Sequence, residues 1–330
     1  MTKPFPYALR LPVFAAPMFL ISGPDLVVAA CRAGVIGAFP TSNCRTVAEL
    51  DQWIASICDR LDQAQGGSGD RTVAPWALNL ITHSTNARLK DELALVARHK
   101  PPIVITALGS PLPVMDVVKS YGGLVFGDVV DIRLARKAAQ AGVDGLACIC
   151  AGAGGHTGHL SPFAFVSAVR EFFDGYIVVG GGITDGSGLA GAIAAGADFA
   201  YLGTRFLAAR ESLAVDAYKQ MVVDCGPDDL IVSAAVSGTP ASWLRPSLQA
   251  CGIDPSAPAG PIPKSYTPGE AALKRWRDTW SAGQGLHKVS AIEPVAMIVD
   301  RLDREYRAAI DRFHQGAFEP ACANLLALRN

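Results

Sequence analysis

Short apolar, β-branched runs take turns with stretches that carry apolar residues every three or four positions, from Val13 to Leu202. The runs read as buried strands, the longer stretches as helices with one apolar face. Strands are predicted over residues 13–17, 36–39, 76–81, 103–108, 124–127, 145–150, 176–180 and 199–202. Each inner gap can hold one helix. Residues 46–61 open on Thr46, a capping residue type, and set Val47, Leu50, Ile54, Ile57 and Leu61 on one face. Residues 85–97 repeat the spacing with Leu89, Leu93 and Val96. Residues 131–141 and 188–195 run into Gly142 and Gly196, where a helix end favours a residue free to turn left-handed.

Strand–helix alternation implies parallel pairing, because each crossover returns the chain to the same end of the sheet. Eight such units fit a closed (β/α)8 TIM barrel, with a doubly wound open sheet as the alternative. After Arg210 the alternation stops. Residues 214–223 fit a helix, and a stretch rich in proline and glycine follows over residues 226–269. The expected division is a barrel from residues 1–210 and 286–330, with residues 211–285 as a smaller insertion covering its mouth. Residues 291–309 read as a closing helix with Ile292, Ala296, Val299 and Leu302 as its apolar stripe. Residues 65–70 read as a surface loop.

Composition narrows the partners. Half the residues are hydrophobic and the formal net charge is −1, which gives no electrostatic reason to expect nucleic acid or an anionic membrane. The start, Met-Thr-Lys-Pro-Phe-Pro, lacks an apolar signal core, so a cytoplasmic location is expected. The longest apolar run, residues 26–39, is too short to span a bilayer. Eight cysteines include no Cys-x-x-Cys and read as reduced thiols. Cys148 and Cys150 share a strand face and read as buried thiols rather than a metal pair.

Glycines gather at consecutive strand ends. The seventh strand ends in Gly180-Gly181-Gly182-Ile183-Thr184-Asp185-Gly186, the eighth in Gly203-Thr204-Arg205-Phe206. In barrels of this type these two loops frequently hold phosphate, since bare backbone N–H groups offer hydrogen bonds and partial positive charge. Thr204 can add a hydroxyl and Arg205 a permanent charge. Gly186-Ser187-Gly188-Leu189-Ala190-Gly191 matches a dinucleotide pattern, but it lies late in the chain and no acidic residue ends the next strand. Other strand ends supply Asn79, Thr82, His83, Asp128 and His156. His156 is the candidate general base, because imidazole titrates near working pH. His159 reads as secondary, His83 as either a loop cap or a pocket residue, and Asp128 as a helix cap or a second acid. His287 is placed to reach the mouth from the insertion.

Several motifs together resemble the nitronate monooxygenase family of flavin enzymes. They are Ala16-Pro17-Met18, Gly34-Val35-Ile36-Gly37, Asn79-Leu80, Ala151 to Gly158, Gly181 to Gly186, Gly196-Ala197-Asp198, Gly203 to Phe206 and Ala282-Gly283-Gln284. The resemblance implies a barrel holding FMN non-covalently. Its cofactor contacts fall on Pro17, Met18, Asn79, Gly155, Gly181, Gly182, Gly203, Thr204 and Gln284, its catalytic histidine on His156. Phe19, Leu20, His83, Asp128 and His159 then belong to the substrate pocket, and the partners are a nitronate or nitroalkane and O2, with a homodimer left open. Phe19-Leu20 departs from the small residues common there, which narrows the pocket or favours apolar substrates. Asp128 departs from the lysine or serine of some relatives, and a carboxylate there opposes negative charge on the ring. The rival readings are an NAD(P)H-dependent reductase of quinones or enoyl thioesters on the same fold, and a non-enzymatic binder of a phosphorylated ligand.

Overall fold

The structure, a computed structural model, describes residues 4–66, 73–259 and 276–315. Eight parallel strands close on themselves: β1 (Val13–Ala15), β2 (Ile36–Pro40), β3 (Trp76–Ile81), β4 (Ile103–Ala107), β5 (Leu124–Val129), β6 (Gly145–Ile149), β8 (Tyr176–Gly180) and β9 (Phe199–Leu202). The ring shuts where Phe14 of β1 pairs with Tyr201 of β9. Closure excludes the open sheet. Between β6 and β8 lies a two-residue strand, β7 (Gly155–His156), that takes no part in the barrel.

Helices α1 (Pro24–Arg32), α2 (Val47–Gly66), α3 (Leu89–His99), α4 (Leu112–Ser120), α5 (Ile132–Gln140), α6 (Pro162–Arg170) and α7 (Gly186–Ala194) fill the gaps between barrel strands. The apolar run at residues 26–39 is thus α1 and β2, parted at Gly34, whose φ is +89°. Helix α2 buries Leu50, Ile54, Ile57 and Leu61, as its spacing predicts, and the N–H of Glu49 donates to Thr46 Oγ1 at 3.0 Å. Asp131 caps α5 by accepting from the N–H of Leu134 at 2.7 Å.

Three expectations shift. Helix α3 begins at Leu89 rather than 85, because His83, Thr85 and Asn86 bond among themselves in a turn, and Leu95 is buried more fully than Leu93. The dinucleotide-like glycines lie within α7 itself, not in a turn before it. A Cβ on Gly186 would fall 2.2 Å from the N of Tyr306, so that glycine serves close helix packing. The closing helix, α11 (Val295–His314), starts after Pro294 and buries Val295, Ile298, Val299 and Leu302; Ala296 is exposed and Ile292 lies before it. Proline disfavours helical geometry in the residue before it, which delays the start.

Beyond the barrel come α8 (Thr204–Leu207), α9 (Asp216–Asp224), β10 (Leu230–Ser233), β11 (Ala241–Leu244) and α10 (Arg245–Ala250). Strands β10 and β11 were not foreseen. They form an antiparallel sheet with β7, in which Ala241 pairs with His156 and Ser242 with Gly155. Residues 67–70 of the expected loop and residues 260–269 of the proline- and glycine-rich stretch lie outside the described residues.

The barrel interior is aromatic at its lower end. Phe14, Phe126, Tyr176 and Phe199 pack there, and Phe5 plugs the opening with its ring 4.9 Å from that of Phe199. Tyr176 donates its hydroxyl hydrogen to the carbonyl of Pro4 at 2.9 Å. Outside, the helices rest on a continuous layer of Val, Ile and Leu side chains. Among the described residues no helix is long and apolar enough to cross a membrane.

Helix α1 rests directly on β2 at Gly37, where a Cβ would lie 2.4 Å from the carbonyl oxygen of Val27. Backbone cannot yield as a side-chain tip can. Gly37→Ala is expected to cost about 3 kcal/mol, from overpacking, in a urea unfolding midpoint. A change within experimental error would contradict the packing described.

Candidate active site

The strand ends at the C-terminal mouth of the barrel carry three groupings of the expected residues. The first is a backbone cradle. Gly181 and Gly182 follow β8 with φ values of +149° and +72°, which only glycine adopts easily. A Cβ on Gly181 would lie 2.6 Å from the carbonyl oxygen of Ala151, so the loops after β6 and β8 touch through bare backbone. The N–H of Gln284 donates to the carbonyl of Gly152 at 2.9 Å, and the N–H of Gly283 donates to Thr204 Oγ1 at 2.8 Å. Met18 stands beside Gly203, its Sδ 3.6 Å from where a Cβ would be. Met18, Gly152, Gly181, Gly182, Gly203, Thr204 and Gln284 are therefore brought together. Pro17 sits next to Met18 in the same half-buried loop.

Gly203 differs from its neighbours. Its φ is −97°, open to any residue, and a Cβ there would meet nothing closer than 3.6 Å. Packing of the chain on itself does not demand a glycine at this position. A ligand seated on the half-exposed Gly203–Thr204 backbone would.

Arg205 does not join the cradle. It is buried, and its Nη2 donates to Glu293 Oε2 at 3.0 Å, while Arg301 bonds the other carboxylate oxygen at 2.5 Å. Its Nη1 has no partner among the described residues, and Arg205 lines a hollow with Thr184, His287 and Lys288 rather than the glycine cradle. His287 also turns elsewhere. With Asp185, Lys288 and Glu305 it lines a hollow of about 230 Å³ beside α11 that carries none of the cradle glycines.

The second grouping lies at the top of the barrel interior. Asn79 of β3 donates from Nδ2 to Asp128 Oδ2 at 3.1 Å. Asp128 Oδ1 and the hydroxyl of Tyr201 are sealed from solvent and find no partner among the described residues; Thr82 Oγ1, past the end of β3, is unpartnered as well but follows the outward parity of Leu78 and Leu80. Unpaired buried polar atoms are costly, and the Asp128–Tyr201 pair marks a place where a ligand supplies the missing partners. Burial pushes the Asp128 carboxyl up to about 7, against the smaller opposing effect of the Asn79 hydrogen bond. Tyr201 is likewise pushed well above its ordinary value by burial, with Asp128 adding to the effect. Tyr201 was missed in the sequence, although it follows Phe199 at the inward spacing of β9. Asp128 is an inward strand residue and not a helix cap; Asp131 caps α5.

His156 forms the third grouping, on β7. The residue is exposed, yet enough protein surrounds its ring that burial pushes its pKa below the ordinary value. Its ring centroid lies 5.2 Å from that of Trp276. Gly155 stands between Ser281 and Trp276, each 3.8–3.9 Å from where its Cβ would be. His159 is exposed in the bend before α6, and His83 Nδ1 accepts from the N–H of Thr85 at 3.2 Å within its own turn.

The loop carrying Phe19 and Leu20 is held by a residue the sequence did not single out. Asn43 accepts from the N–H of Leu20 at 2.7 Å and donates to the carbonyls of Met18 and Ser22. These bonds keep Leu20 at φ +62°, a strained value for leucine. Cys148 and Cys150 are buried, and burial pushes both thiols upward.

The family model described as nitronate monooxygenase matches residues 7–250. A nitronate monooxygenase of Paraburkholderia phytofirmans is 28% identical, with 93% of this chain and 95% of that protein covered. A hydroxy-methyl-oxo-octahydroindene-carboxyl-CoA dehydrogenase of Rhodococcus jostii is also 28% identical, over 72% of this chain and 63% of that one. The crystal structure of nitroalkane oxidase from Streptomyces ansochromogenes superposes with a TM-score of 0.76 at 24% identity, covering 93% of this chain and 98% of that chain.

The raised Asp128 pKa fixes a sign. Between about pH 4 and pH 7 the folded protein keeps a proton that the unfolded chain has lost, so stability falls as pH rises through that window. The loss has a ceiling of roughly 4 kcal/mol for a shift of this size. Asp128→Asn removes the titration. Its unfolding free energy, compared with the unmodified protein at pH 5 and pH 8, is expected to gain at the higher pH; equal differences at both would show that Asp128 is not held protonated.

Proposed function

The chain belongs to the nitronate monooxygenase family, and from that membership we propose an FMN-dependent oxidoreductase that converts alkyl nitronates with O2 into carbonyl compounds and nitrite. Gly203 carries this reading: a bare strand end beside Met18 that the fold itself does not require, on the same barrel whose interior holds the unpaired polar atoms of Asp128 and Tyr201. When bound, FMN supplies the electron transfer that no protein side chain here can perform.

The chain's own residues bind, orient and move a proton. The backbone at Gly181–Gly182 and Gly203–Thr204 presents N–H groups to a phosphate. Thr204 Oγ1 already accepts from Gly283, which leaves its own hydrogen free to donate. Asn79, with Asp128 and Tyr201, would offer hydrogen bonds to the flavin, and Pro17, Met18, Gly155 and Gln284 would complete the cofactor contacts. Phe19, Leu20, His83, Asp128 and His159 are assigned to the substrate pocket, and the described part of residues 211–285 to its cover. For a neutral nitroalkane, the His156 imidazole accepts the α-proton; its lowered pKa keeps it uncharged and ready to accept near pH 7.

A second reading keeps the fold and the flavin but makes the enzyme an NAD(P)H-dependent reductase of thioesters or quinones. The relative named as a carboxyl-CoA dehydrogenase favours it. Anaerobic mixing separates the two. Bleaching of the flavin by a nitronate but not by NADPH or NADH supports the first; rapid bleaching by a nicotinamide supports the second. A protein that stays colourless after FMN addition removes both.

Two variants probe the site. Gly203→Ala is expected to leave the thermal midpoint within error while FMN retention through gel filtration falls about tenfold, the equivalent of 1.4 kcal/mol. Full retention would sink the phosphate assignment. His156→Asn should keep its FMN and lose about 10²–10⁴-fold on neutral nitroalkanes, with preformed nitronates much less affected. Equal losses on both substrates would remove His156 from the role of proton acceptor.

A further inference from the structure

We propose that Trp276 is the positioning residue for His156, holding the imidazole in one orientation at the mouth and keeping one side of it dry. The inference rests on the reading of His156 as proton acceptor and adds to it what sets that residue's geometry.

A general base is ordinarily aimed by a third group, most often through a hydrogen bond to its other ring nitrogen. His156 shows no such bond among the described residues. Its strand, β7, is two residues long and is held by antiparallel pairing with β11. Directly paired residues share a sheet face, so His156 stands on the face of Ala241 and, two residues on, of Trp243. Trp276 lies against that face. Its ring meets that of His156 at 5.2 Å and 63°, an edge-to-face arrangement. The indole of Trp276 is in turn backed by Trp243 at 4.7 Å. Trp243 is fully buried and donates from Nε1 to the carbonyl of Ser233 on β10 at 3.2 Å. A line of contacts therefore runs from a fixed backbone carbonyl through two indoles to the imidazole.

Among the described residues no charged group shifts this histidine; burial alone does. Strands β10 and β11 and residues 281–284 carry no charged side chain. Arg277 and Asp278, next to Trp276, are exposed and bonded to each other at 2.8 Å. His159, three residues along the chain, is exposed. The direction of the His156 pKa, downward through burial, agrees with a ring whose surroundings are mainly apolar wall.

The test titrates the FMN-loaded enzyme by histidine NMR, with the His156 signal assigned from its absence in His156→Asn. Trp276→Leu should move the His156 midpoint upward as water replaces the indole. Turnover of a neutral nitroalkane should fall about tenfold in kcat with KM little changed, as expected for a misaimed base. Preformed nitronates should be turned over at close to the unmodified rate. Trp276→Phe keeps a smaller ring and should fall between the two in both readouts. An unmoved midpoint in Trp276→Leu, or a loss shared equally by both substrates, would overturn the proposal. Should the leucine variant fail to fold, the phenylalanine variant decides alone, since no upward movement there is equally fatal. The two layers of inference fail separately. If His156→Asn leaves nitroalkane turnover intact, the base assignment is wrong; if it slows turnover while the Trp276 variants leave the titration untouched, only the positioning role is lost.

Discussion

The backbone from Ala282 to Gly285 is tied at three points to chain far away in sequence. The carbonyl of Ala282 accepts from Ser242 Oγ at 2.8 Å, the N–H of Gly283 donates to Thr204, and the N–H of Gln284 donates to Gly152. These contacts join the loop after β6, the start of α8 and the β11 strand into one rim. They require bare backbone. A Cβ on Gly283 would fall 2.7 Å from the carbonyl oxygen of Gly152, and one on Gly285 would fall 1.7 Å from Thr184 Oγ1. Each bond contributes only about 1 kcal/mol on balance, so it is their convergence that fixes the rim.

The barrel beneath the rim is graded from apolar to polar. At the lower end the rings of Phe5, Phe14, Tyr176 and Phe199 fill the space edge to face. At the upper end Asn79, Asp128 and Tyr201 occupy inward positions, and two of the three keep an unpaired atom. The lower layers secure the fold through burial of apolar area. The upper one accepts unsatisfied polar groups, a pattern expected where a site rather than a core is being built. In the proposed function the raised pKa of Asp128 also softens a conflict. A carboxyl that holds its proton into the neutral range brings less negative charge to a ring that must accept electrons.

The strained loop after β1 shows the same division between scaffold and site. Leucine at φ +62° is unfavourable, and Leu20 is kept there by Asn43, which bonds three backbone groups of the loop. Asn43 sits after β2, so the shape of one mouth loop is decided by its neighbour around the barrel.

The barrel was legible in the chain because its signals are local. Strand runs such as residues 76–81, 176–180 and 199–202 match β3, β8 and β9 to the residue, since a buried parallel strand is a continuous apolar run bounded by turns. The glycines at 181, 182 and 203 were equally visible, as was His156 within its glycine-rich segment. Their mutual contact was not. No local pattern says that Gly283 meets Thr204, that Arg205 is taken up by Glu293 eighty-eight positions away, or that Trp276 packs on His156. Strands β10 and β11 escaped for the same reason: β7 has two residues, too few for any periodicity, and exists only because β11 pairs with it. Sequence alone thus determined the elements, their order and the residue types at the mouth, all of which follow from side-chain period and backbone freedom. Which groups are satisfied, which remain unpaired and which way the imidazole is held was decided by packing between distant segments, because those properties belong to pairs of residues and not to any stretch of chain.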